Sequence, residues 1–89
     1  MTDINVVFCR QLLKSVMKDV KKHTTAAQRK TSEVICMDRR PGYRSYEFHV
    51  RSEDFYWFGG ADNAADARYH GWHSYLRSIN APGYSDEEN

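Results

Sequence analysis

The chain has 89 residues, 13 Lys+Arg against 12 Asp+Glu, and two cysteines. This length allows one domain with a modest core, burying roughly 60–65% of the unfolded surface. A formal net charge of +1 argues against a general polyanion binder, two cysteines are too few for a disulfide framework, and no apolar run approaches the ~20 residues of a membrane span.

Thr2 or Asp3 can cap a first helix, on which Val6, Cys9, Leu12, Leu13, Val16, Met17 and Val20 recur at three- and four-residue spacing as one apolar stripe. Arg10, Lys14, Lys18, Lys21 and Lys22 lie off that stripe and form a basic flank. From His23 to Ser32 the periodicity is lost, and a helical turn at Ala26–Arg29 and a loop are both compatible with the composition. Ser32–Arg39, Ser45–Arg51 and Asp54–Phe58 read as three short strands. Arg40-Pro41-Gly42-Tyr43 has turn chemistry and sets Ile35 opposite Phe48 and Met37 opposite Tyr46. A second turn at Ser52-Glu53 sets Val50 opposite Phe55, Phe48 opposite Trp57, and Arg51 against Asp54 as a cross-strand ion pair. After Gly59-Gly60, Asp62 or Asn63 caps a last helix on which Ala65, Tyr69, Trp72, Leu76 and Ile79 form the apolar line. Gly71 inside that helix implies close approach of another element. Pro82-Gly83 stops the helix.

The expected fold is α+β, in the order α-β-β-β-α, with a three-stranded antiparallel sheet and two helices packed on one face. Residues 1–83 form the single domain and residues 84–89 an acidic, disordered tail. Strand alternation puts Ile35, Met37, Tyr46, Phe48, Val50, Phe55 and Trp57 on the covered face. The opposite face then carries Val34, Cys36, His49, Tyr56 and Phe58, an apolar surface that the chain's own helices leave open.

The chemistry-bearing residues do not assemble into a catalytic pattern. Asp66, His70 and His73 share one flank of the last helix, where a solvated polar surface is expected rather than a metal site. Cys9 falls on the apolar stripe, while Cys36 is expected across from Glu47, whose carboxylate raises a thiol pKa instead of activating it. Gly59-Gly60 lacks the further glycines of a dinucleotide loop and the lysine of a P-loop. No enzyme, cofactor or metal is therefore expected. The α-β-β-β-α order is similar to that of the double-stranded-RNA-binding domain, a family that grips phosphates with lysines opening its last helix. The matching stretch here, Ala61-Asp62-Asn63-Ala64-Ala65-Asp66, has two carboxylates and no lysine.

Two functional expectations follow. The first is a small protein-binding module using Val34, Cys36, Arg44, His49, Arg51, Tyr56 and Phe58, with apolar anchors and a polar rim. Its size and acidic tail match the profile of phage- or plasmid-type inhibitors that occlude a host or defence protein. A second copy of the chain is another cover for the same face. The alternative is a nucleic-acid-binding module using Arg39, Arg40, Arg44, Lys14 and Lys18, with Tyr56 and Phe58 as a stacking platform. Charge is distributed to suit either: residues 1–30 hold seven basic and two acidic side chains, and residues 61–89 two basic and five acidic. Without a basic, then apolar, N-terminal segment no secretory signal is recognised, and a cytoplasmic location with free thiols is expected.

Overall fold

The computed structural model describes residues 4–38 and 44–84, with side chains described from residue 11 onward. The proposed cap at Thr2 or Asp3, the side chains of Val6 and Cys9, the Arg40–Tyr43 turn, Arg39 and the segment 85–89 lie outside the described residues or side chains. The elements run α1 (Ile4–His23), α2 (Ala26–Lys30), β1 (Ser32–Asp38), β2 (Ser45–Val50), a 3-10 turn (Arg51–Glu53), β3 (Phe55–Gly60) and α3 (Ala64–Ser78). The strands form one antiparallel sheet in the order β1-β2-β3. This is the expected α+β arrangement with one open sheet. No helix of the described residues is long and apolar enough to cross a membrane.

One face of β2 supplies the centre of the core. Tyr46, Phe48 and Val50 alternate inward and are buried, and Phe48 meets Trp72 of α3 edge-on with ring centroids 5.0 Å apart. α3 lies across all three strands, and α1 packs along α3. Val16 and Val20 of α1 are buried in the same cluster as Phe48, Val50, Trp72, Tyr75, Leu76 and Ala81. Gly71 explains how α3 comes so near: a Cβ there would overlap Cβ and Cγ of Phe48, so only glycine fits. The buried line of α3 is Ala67, Gly71, Trp72, Tyr75 and Leu76, whereas Ile79, expected in the core, is the C-cap residue and 42% exposed.

Local chemistry defines the ends. Asn63 Oδ1 accepts the Asp66 backbone N–H at 2.8 Å and starts α3. Asn80, at φ 54°, reverses the chain after the helix. α2 is a real helical turn, held by a reciprocal capping box in which Thr25 and Gln28 each accept the other's backbone N–H. Tyr84 is not part of a free tail. Its hydroxyl donates to Asp19 Oδ2 at 2.6 Å and its ring meets His73 edge-on, so it fastens the end of the described chain to α1 and α3.

Pairing between β2 and β3 follows the expected register, with Phe48 opposite Trp57 and Val50 opposite Phe55. The connection differs: Arg51–Glu53 form the 3-10 turn and Asp54 sits in the left-handed region at φ 53°, so β3 begins at Phe55. Arg51 pairs with Glu33 rather than Asp54. β1 departs further. Asp38 pairs with Ser45, as the turn predicts, but Met37 is an extra residue in a β-bulge. Everything N-terminal to it is shifted by one position, so Val34 faces Phe48, Ile35 faces Glu47 and Cys36 faces Tyr46. Because side chains alternate, that shift exchanges the two faces of β1.

Candidate functional site: the open face of the sheet

The sheet face away from α3 carries Glu33 and Ile35 from β1, Glu47 and His49 from β2, and Tyr56 and Phe58 from β3. Across the strands these form two rows, Glu33-His49-Tyr56 and Ile35-Glu47-Phe58. Tyr56 is 63% exposed, Phe58 57%, and Met37 at the bulge 52%. Exposed aromatic and aliphatic groups this close together are what a binding surface presents.

Its polar groups largely satisfy one another. Arg51 Nη2 and Nε donate to Glu33 Oε2 at 2.8 and 3.1 Å. His49 Nε2 lies 3.1 Å from Glu47 Oε1, and its ring stacks on Tyr56 with centroids 5.8 Å apart. The result is a mixed surface, aromatic along β3 and with its charges internally paired. At the turn end, His49, Arg51, Asp54, Phe55 and Tyr56 line a shallow depression of about 270 Å³.

Among the residues expected at this site, His49, Tyr56 and Phe58 lie on the open face and Arg51 at its rim. Val34 and Cys36 do not: the bulge turns them to the covered side, where Val34 packs against the core and Cys36 lines a separate depression with Arg44, Tyr46 and Ala64. Ile35 takes their place on the open face, and Met37 is exposed at the bulge. A bulge leaves no periodic trace in seven residues, so only the three-dimensional pairing reveals the exchange. Arg44 is exposed beyond the end of β2, and its Nη1 donates to the Asp62 carbonyl at 3.2 Å.

The residues expected to hold nucleic acid are dispersed. Lys14 and Lys18 are exposed on α1, in the helical layer on the other side of the sheet from Tyr56 and Phe58. Arg39 and Arg40 lie outside the described residues. On the last-helix flank, His70 Nε2 pairs with Asp66 Oδ1 at 3.3 Å and stacks on Trp57, while His73 turns to Tyr69 and Tyr84. Burial, with Arg77 and His70 nearby, holds the His73 pKa below its ordinary value. Among the described residues no group of three His, Cys, Asp or Glu side chains is gathered for a metal ion.

Comparison with known proteins finds no matching family model, no similar curated protein and no similar solved structure.

Proposed function

We propose that this protein is a non-enzymatic binding module that docks on another protein through the open sheet face, with Tyr56 and Phe58 as anchors and Ile35 and Met37 beyond the central strand. The exposure of the two aromatic rings, on a face that none of the described helices covers, carries this reading. Aromatic anchors on the edge strand beside paired polar groups on the central strand suit a protein surface, because docking there buries apolar area without stranding a charge. Nucleic acid is the weaker reading. Glu33 and Glu47 sit among the aromatic residues, Arg51 is already engaged by Glu33, and the lysines of α1 are on the far side. A finer role as an inhibitor that occludes a host or defence protein is compatible with this face and belongs to the same proposal.

The test compares the full chain with a Tyr56→Ala/Phe58→Ala double variant in affinity capture from cells of the source, followed by titration of the purified captured protein. Direct binding that falls at least about tenfold in the double variant, with the circular dichroism spectrum unchanged, is the expected result. Undiminished binding by the variant overturns the assignment. So does steeply salt-dependent duplex binding by the isolated chain in a gel shift, because phosphate neutralisation would then dominate.

A further inference from the structure

The two edges of the sheet are not alike. β1 carries the devices that discourage pairing with another chain: a bulge at Met37 and charged residues at Glu33 and Asp38. β3, Phe55-Tyr56-Trp57-Phe58-Gly59-Gly60, has no charge, no proline and no bulge. Its hydrogen-bonding phase follows from the ladder. Ala61 N–H donates to the Arg44 carbonyl at 3.2 Å, so Gly59, Trp57 and Phe55 exchange bonds with β2. The N–H and C=O groups of Tyr56, Phe58 and Gly60 therefore point to the open side, and none has a partner among the described residues.

We propose that β3 pairs with β3 of a second copy, antiparallel about a two-fold axis at Phe58, to form one continuous six-stranded sheet. The strand is complementary to itself about that residue. Tyr56 falls opposite Gly60 of the second copy, Trp57 opposite Gly59, and Phe58 opposite its own equivalent. All three outward-pointing residues on each copy become hydrogen-bonded pairs in this register, because Tyr56, Phe58 and Gly60 share one phase. Tyr56, whose ring is exposed, then faces Gly60 of the second copy, an arrangement in which an aromatic ring covers bare backbone, while Trp57 already lies over its own Gly59. Pairing is isologous and closes at two copies, since the exposed edges that remain are the bulged β1 strands. This inference concerns the edge and not the face, and it stands independently of the proposed docking function.

Sedimentation equilibrium of the isolated full chain, combined with residue-resolved amide hydrogen exchange, tests it without any other protein present. The expected result is a dimer, with exchange at Tyr56, Phe58 and Gly60 slowing as protein concentration rises. Phe58→Lys sets two like charges opposite each other on the axis and should raise the dimer dissociation constant about tenfold or more, with loss of that protection. Phe58 is exposed in the single copy, so the variant should retain its circular dichroism spectrum. A chain that stays monomeric up to about 1 mM overturns the proposal. A dimer in which these three amides stay unprotected, or one indifferent to Phe58→Lys, overturns it as well. Loss of capture by the Tyr56→Ala/Phe58→Ala variant would leave this inference untouched, because self-association is read on the isolated chain with no captured protein present.

Discussion

Gly71 is the residue on which the contact between α3 and the sheet depends. Placing a Cβ there drives it into Cβ and Cγ of Phe48, which are the stiff root of that side chain and not a movable tip. Gly71→Ala gains about 1 kcal/mol of helix propensity but overpacks the core at a typical cost of about 1–3 kcal/mol, so a net loss of up to about 2 kcal/mol in urea unfolding is expected. Gly60→Ala is the control: within one copy its added carbon would meet only the Arg44 carbonyl at 3.7 Å, and the stability of the single copy should change by less than about 0.5 kcal/mol. The need for glycine at position 71 is legible from sequence because a helix former is absent from mid-helix. Which residue approaches it is not, since that depends on how α3 crosses β2.

At the scale of elements, signals local to a few residues were readable and those set by long-range pairing were not. Asn63 announces α3, and its Oδ1 accepts the Asp66 N–H. Asn63→Ala should therefore cost about 1 kcal/mol in denaturant unfolding. Hydrophobic periodicity leaves residues 23–32 undecided, yet Thr25-Ala26-Ala27-Gln28 has the spacing of a capping box, and α2 forms there. The β2-β3 register was accessible from a short turn and strict alternation, and with it the outward aim of His49, Tyr56 and Phe58. β1 was not accessible. Its first pair from the turn, Asp38 with Ser45, agrees with turn geometry, and a single inserted residue then reverses every side chain before it. The candidate site consequently kept its aromatic half and exchanged its aliphatic half, Ile35 and Met37 for Val34 and Cys36.

For the molecule as a whole, Tyr84 joins the end of the described chain to α1, and it and the neighbouring His73 tie stability to pH at opposite ends of the range. Burial and the hydrogen bond to Asp19 raise the Tyr84 phenol above its ordinary value near 10. Its stabilising contribution is full below about pH 10 and is lost as pH rises through the folded-state value. His73, against the same ring, is shifted downward by burial first and then by Arg77 and His70. The unfolded chain takes up that proton more readily, so stability falls as pH drops below about 6.5. Urea unfolding across pH should show a plateau between these limits. Tyr84→Phe should lower the plateau by about 1–2 kcal/mol and flatten its alkaline decline, leaving the acid side in place.

The same fastening decides how the protein can be presented to a binding assay. Tyr84 rests on the helical layer, on the side of the sheet remote from Tyr56 and Phe58. A tether attached after residue 84 would hold the domain to a sensor chip with its aromatic sheet surface directed into the flow.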